Sequence, residues 1–244
     1  RVVITLTLES TESEEIIEIK EKEIKKLKEQ KEYDPSLVLW LSDEYDNDKR
    51  WTDKTEYKND GIIHGATWTG QGFSFDGIND YISCANNTSL NITNTFTIMT
   101  YAKKTGECNN AKLIFKAYYD SWIEPYYDYN FRILEDGNFV VFGFATSPTT
   151  HDQSLVLLRP DDDIWFHITA THDGTTAKLY LNKILIDSKK VIFSPANTQP
   201  LTIGATGFES YLCPFNGIID EVRLYNRALS AKEIEKIYEQ IYRE

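Results

Sequence analysis

Hydrophobic and polar positions alternate in short runs through most of this chain. SLVLW, FSFDG, DYISC, FTIMTYA, KLIFKA, NFRILE, NFVVFGF, WFHITATHDG, AKLYLNKILID, LTIGA and GIIDEVRLY follow one another from Ser36 to Leu229, bounded by Gly, Asn, Asp or Pro. Period-two runs punctuated by turn residues predict strands. Asp136-Gly137-Asn138 and Asp173-Gly174 predict tight hairpin turns between neighbouring runs. Many short strands without helices between them predict an all-β fold, a sandwich of two antiparallel sheets.

The pattern changes at both ends. Val2, Ile4, Leu6 and Leu8 share one face of a strand expected over residues 1–10. A Glu- and Lys-rich segment follows, with Ile17, Ile24 and Leu27 as a narrow apolar stripe and Glu21–Lys25 as a favourable i,i+4 pair. It predicts a charged helix ending before Asp34-Pro35, because the residue preceding a proline avoids the α region. That helix reads either as a solvated face packed on its own domain or as a stalk or short coiled coil. At the other end Ser230 and Glu233 have capping-box form, and Ile234, Ile237, Tyr238 and Ile241 give a helix over Ser230–Arg243 its apolar face. Two domains are therefore expected, 1–35 and 36–244.

Composition narrows the function classes. With 41% hydrophobic and 26% charged residues in 244, the chain is globular rather than disordered. No run approaches the roughly 18 apolar residues of a membrane-spanning helix. A net charge of −12 argues against a nucleic-acid partner. Cys84, Cys108 and Cys213 lack metal-type spacing, and read either as one disulfide with a free thiol or as three buried thiols. Arg1 in place of Met points to a processed or truncated product. Sequons at Asn86, Asn87 and Asn91 make these asparagines candidate glycosylation sites and favour an extracellular or cell-surface location.

Three blocks resemble a known family, in the right order. Gly72-Phe-Ser-Phe-Asp-Gly-Ile-Asn-Asp-Tyr81 resembles the G-x-x-FDG-x-x-DY stretch of laminin-G-like jelly rolls in the concanavalin A-like lectin and glucanase superfamily. Trp165–Gly174 with Leu179-Tyr-Leu-Asn182 resembles that family's W-x-H-x-x-x-T-x-DG…LYLNG core, with Lys183 where the family often has glycine. FNGIIDEVRLYNRALSAKEIEKIY, from Phe215 to Tyr238, resembles its closing signature. The resemblance covers residues 37–242 and implies a jelly-roll sandwich. It also implies a structural calcium held by Asp76, Asp80 and Asp220, with Asn79 nearby. The alternative is that Asp76 and Asp80 make turn hydrogen bonds only.

Catalysis is not expected. Laminarinase-type relatives carry E-x-D-x-x-E on one strand, which this chain lacks, and strand alternation puts Asp220 and Glu221 on opposite faces. His64, His151, His167 and His172 show no zinc spacing, and His167 reads as a hydrogen-bonded structural histidine. Arg223 reads as a buried ion pair or turn contact. Asp161-Asp162-Asp163 reads as a solvated turn.

The stretch Ala117–Asn130 carries the recognition chemistry. Tyr118, Tyr119, Trp122, Tyr126, Tyr127 and Tyr129 crowd it, interleaved with Asp120, Glu124 and Asp128. Such rings stack on the apolar face of a pyranose while carboxylates accept its hydroxyls, and they also anchor protein contacts. The competing reading buries them in the sandwich. The expected function is a non-catalytic extracellular recognition module, binding a glycan or surface protein within an adhesin, appendage or cell-surface protein. The alternative is an assembly module making homo-oligomers through residues 1–35, with VVITLTL added to a neighbour's sheet edge.

Overall fold

The computed structural model describes residues 20, 22, 34–46, 50–92, 94–108, 110–117, 127–134, 137–144, 153–193, 199–208 and 212–241. The chain divides into two compact units, Arg1–Pro35 and Ser36–Glu244. Of the first, Lys20 and Lys22 have helical backbone, and Asp34 and Pro35 lie just before the second. The strand expected over residues 1–10 and most of the charged helix fall outside the described residues.

In the second unit, β1 (Leu37–Asp46), β2 (Arg50–Asp53), β3 (Gly61–His64), β4 (Thr67–Trp68), β5 (Phe73–Asp76) and β6 (Tyr81–Cys84) come first. They are followed by β7 (Thr95–Lys104), β8 (Lys112–Ala117), β9 (Tyr127–Ile133), β10 (Phe139–Phe144) and β11 (Gln153–Leu158). Then come β12 (Phe166–Asp173), β13 (Thr176–Leu181), β14 (Ile184–Lys190), β15 (Leu201–Ile203), β16 (Asn216–Tyr225) and helix α1 (Ala231–Ile241). All described pairings are antiparallel. The hydrogen-bonded order is β11-β10-β9-β8-β15-β6-β3-β2-β1-β16-β7-β12-β13-β14, with β5 also on β16 and β4 on β5.

This ladder folds over at β2 into two facing layers. The first layer is β1-β16-β7-β12-β13-β14 and the second β11-β10-β9-β8-β15-β6-β3. Between them one core holds Phe96, Ile98, Phe166, Ile168 and Leu179 from the first layer with Leu113, Phe131, Phe142 and Leu155 from the second. Phe96 meets Phe142 across the gap at 5.9 Å between ring centroids. Alternation dictates this: in β12, Phe166, Ile168 and Ala170 face the core while His167, Thr169 and Thr171 face outward.

A second apolar cluster lies on the outer face of the first layer. Met99, Tyr180 and Tyr225 are covered there by Leu229 and by Ile234 and Ile237 of α1. The predicted capping box starts that helix. Glu233 Oε2 accepts from the Ser230 N–H at 2.7 Å, and the Glu233 N–H donates back to Ser230 Oγ at 3.4 Å. The Arg227 guanidinium beside Glu233 holds its carboxyl down at about 2.

The β12–β13 hairpin turns at Gly174 with φ +98°, a left-handed conformation that costs glycine little. At the next hairpin Asn182 and Lys183 have φ of 47° and 68°. Lys183 thus takes the left-handed conformation suited to glycine, and its ammonium reaches Glu235 and Glu239 of α1 at 2.9 and 3.2 Å. No described helix is long and apolar enough to cross a membrane.

Candidate functional site

Three polar regions stand out among the described residues of this scaffold. Tyr118, Tyr119, Trp122 and Tyr126 fall outside the described residues, as does the side chain of Tyr127. Tyr129 corrects the expectation of a binding residue. It is fully buried, its hydroxyl donates to the Leu90 carbonyl at 3.2 Å, and its ring stacks toward Phe96 at 6.4 Å. Its neighbours Asn130 and Phe131 show why: β9 alternates, and Tyr129 shares the inward face with Phe131 and Ile133. Trp51 is likewise core, packed on Phe73 at 5.0 Å, and Trp68 lies beside Phe73 at 5.3 Å.

The first region is a cavity of about 290 Å³ at one end of the sandwich, where three connections converge. Lys104 ends β7, Asn138 follows the β9–β10 turn, and Arg159, Asp161 and Asp162 belong to the β11–β12 connection. Glu107 adds a third carboxylate. Asp162 accepts from the Lys104 ammonium at 2.8 and 2.9 Å and from Arg159 Nη2 at 2.7 Å. These bonds, that from Lys104 first, hold its carboxyl below the usual range. Arg159 Nε also donates to the Gly137 carbonyl at 2.7 Å, which ties two of the connections together. The acidic run expected to be a solvated turn therefore contributes the one carboxylate that locks this pocket. Its signal was invisible in sequence because Lys104 stands 58 residues away.

The second region is the outer face of the first layer beside α1. A β-bulge at Glu221, with φ 52°, shifts the register between Asp220 and Arg223. It overturns the expectation that Asp220 and Glu221 point to opposite faces. Asp220 is registered with Tyr101 on the outer face, and Glu221 Oε2 accepts there from Trp40 Nε1 at 3.0 Å and Arg223 Nε at 2.8 Å. The Arg223 guanidinium lies 4.3 Å from the Trp40 ring centroid. Burial first, then the Glu221 charge, push the Asp220 carboxyl up to about 7.

His167 lies in the same rows, opposite Tyr101. Instead of being hydrogen-bonded, both its ring nitrogens are buried without a partner, as are Thr169 Oγ1 and Asp220 Oδ1. Burial, with the Arg223 charge added, holds His167 down at about 3. The satisfied histidine is His172, whose ring nitrogens lie 2.6 and 2.9 Å from the carbonyls of Asn94 and Val191.

The third region is the outer face of the second layer. Lys112 of β8 and Arg132 of β9 are registered partners, as are Phe115 and Asn130. Val141 and Gly143 of β10 continue the two rows. Lys112, Phe115, Asn130 and Val141 are buried, and Arg132 is half-buried. Arg132 Nε and Asn130 Oδ1 have no hydrogen-bond partner.

The carboxylates expected to hold calcium separate into two places. Asp80 Oδ2 accepts from the Asp76 N–H at 3.0 Å, and Asp76 Oδ1 accepts from the N–H groups of Ile78 and Asn79 at 2.8 and 3.3 Å. Asp220 instead abuts Gly72, where a Cβ would come within 3.0 Å of its own. Four extended residues separate Gly72 from Asp76, about 13 Å, too far for one ion to bridge. Among the described residues no three His, Cys, Asp or Glu side chains form a metal-holding group. The sequon Asn86 is exposed, Asn87 caps the Thr88–Leu90 turn through the Ser89 N–H at 3.1 Å, and Asn91 Oδ1 is buried. Cys84, Cys108 and Cys213 are free thiols.

Two facing antiparallel layers packed over one core define a jelly-roll sandwich. A laminin-G family model described as the concanavalin A-like lectin/glucanases superfamily matches residues 76–235, and the chain belongs to that family. No curated protein sequence matches the chain.

Among solved structures, the fold is similar to the receptor-binding domain of botulinum neurotoxin C/D mosaic serotype, with TM-score 0.67 and 15% identity over 84% of this chain and 51% of that one. It is similar also to the binding domain of botulinum neurotoxin DC in complex with SialylT, with TM-score 0.64, 15% identity and the same coverage. The binding domain of Paraclostridial Mosquitocidal Protein 1 gives TM-score 0.64 and 19% identity over 84% of this chain and 52% of that one. The chain thus spans about half the length of the solved structures it matches.

Proposed function

We propose that Ser36–Glu244 is a non-catalytic glycan-recognition module of a secreted or cell-surface protein, acting in adhesion or receptor binding. The observation that carries this reading is the 290 Å³ end cavity, close to the lower bound of ligand pockets at roughly 300 Å³. Its polar groups are held in place before any ligand arrives: Asp162 is clamped by Lys104 and Arg159, so its position costs a ligand no ordering. Carboxylates and an amide accept sugar hydroxyls, and the cations donate to ring and hydroxyl oxygens. A carboxylate kept ionised by two cations serves for holding rather than for proton transfer. The likeness to receptor-binding domains, one of them solved with SialylT, supports the same reading.

A glycan array with the intact chain tests it. Asn138→Ala removes an exposed amide at the rim and is expected to weaken the bound neutral oligosaccharide about tenfold, near 1.4 kcal/mol, with the melting temperature unchanged. An array without any hit overturns the reading, and hits insensitive to Asn138→Ala remove the cavity from it.

A protein partner is the second reading, favoured by Ile184, Leu185 and Ile186 on the terminal strand β14, which are 63%, 48% and 46% exposed.

A further inference from the structure

We propose that helix α1 is an acid-released strap: protonation of His167 beneath it frees the helix from the outer face of the first layer and uncovers the apolar residues it shields. His167 is 1% exposed, and neither of its ring nitrogens has a hydrogen-bond partner. A neutral imidazole so placed forgoes one donor and one acceptor bond. An imidazolium would hold two buried N–H donors and a charge with no acceptor, which is far more costly. The Tyr238 ring of α1 lies 5.9 Å from the imidazole, centroid to centroid, so the helix stands between His167 and water.

The surroundings make charging worse. Tyr101 of β7 is opposite His167, and Tyr180 of β13 is opposite Thr169 two residues on. Asn182 Oδ1 is taken by the His167 backbone N–H at 2.8 Å. Lys183, in the same turn, sets its ammonium 5.8 Å from the Tyr238 ring centroid, and Arg223 of β16 adds a second positive charge. The carboxylates of α1 and β16 on this face are engaged elsewhere: Glu233 with Arg227, Glu235 and Glu239 with Lys183, and Glu221 with Arg223. Lys232 and Lys236 of α1 are exposed. Asp220, across Tyr101, is raised to about 7 and so is protonated in the range where an imidazolium would need it.

The helix is also the element that can leave. Ile234 and Ile237 bury themselves against Met99, Tyr180, Tyr225 and Leu229, and the Lys183 pairs are half-exposed, hence weak. Undocking α1 breaks no strand pairing, so it is a smaller opening than unfolding. Once open, His167 titrates near its ordinary 6.5, against about 3 beneath the helix. The sign follows: docking is strongest above pH 6.5 and weakens as pH falls toward 3, and the opening equilibrium rises about a hundredfold between pH 7.5 and 4.5. The device does not depend on what the end cavity binds.

Hydrogen exchange of the intact chain tests it, with every amide corrected for its intrinsic rate. Opening of α1 is expected to rise about a hundredfold from pH 7.5 to 4.5, and α1 amides to exchange faster at pH 4.5 than those of β7 and β12. His167→Phe keeps a ring that cannot be protonated and is expected to abolish the rise; His167→Gln serves the same purpose if the first variant folds poorly. Lys183→Ala is expected to raise opening at both pH values and leave the acid-induced rise intact, which separates His167 from protonation of Glu235 and Glu239. Opening independent of pH, an undiminished rise in the His167 variants, α1 amides no faster than those of the sheet, or loss of the rise in Lys183→Ala would each overturn the proposal.

Discussion

Arg223 and Arg132 both stand on outer sheet faces, and the protein treats them in opposite ways. Arg223 is almost wholly buried and is met by its own counter-charge: Glu221 Oε2 lies 2.6 Å from Nη2, and the Trp40 indole stacks on the guanidinium. Arg132 is opposed to another cation and keeps a buried N–H without an acceptor. The first arrangement is closed, since every element of the pair is supplied by the fold. The second is open. Like charges directly opposed on paired strands work against the fold, whereas the Arg223 pair works for it.

The largest expected effect comes from breaking the closed site. Arg223→Gln leaves the largely enclosed Glu221 carboxylate without its counter-charge, though still accepting from Trp40 Nε1, and is expected to cost about 3–5 kcal/mol in urea unfolding. A loss below about 1 kcal/mol would make this pair equivalent to a surface contact and erase the contrast.

A pH series sharpens the same face. Asp220, raised to about 7 and facing Glu221, Asp43 and Lys54, binds its proton more tightly folded than unfolded. Its contribution to stability is therefore present below about pH 4 and lost as pH rises toward 7. His167, lowered to about 3 with Arg223 facing it and the Tyr238 ring of α1 5.9 Å away, has the opposite sign and loses stability as pH falls below about 6.5. Asp220→Asn is expected to gain on the wild type steadily from pH 4 to 7, the histidine contribution cancelling in the difference. A difference independent of pH would show that Asp220 titrates normally.

The smallest effect tests the opposed cations. Arg132→Glu converts the opposed cations into an opposed ion pair and is expected to stabilise the fold by about 0.2–1 kcal/mol. Destabilisation would show that Arg132 is structurally committed after all.

Much of the scaffold was legible in the chain. Alternation in FHITATH placed Phe166, Ile168 and Ala170 inward, Asp173-Gly174 marked its hairpin, and Ser230 with Glu233 announced the last helix. Each of these signals is local, carried by residues within one strand or one turn. What failed was parity. One inserted residue at Glu221 brought two carboxylates onto one face, and β9 entered its strand so that Tyr129 fell inside and Arg132 outside. The sites were illegible for a related reason. Lys104 reaches Asp162 across 58 positions, and Lys112 meets Arg132 only because β8 and β9 pair in one register.

The amino-acid pattern by itself determined that this chain builds antiparallel layers and closes them with a capped helix, because period, turn chemistry and capping act over a few bonds. Only the tertiary structure decided which charges neutralise each other and which are set against a like charge. Side-chain electrostatics acts through space, at distances set by strand register and bulges, and no spacing along the chain encodes those distances.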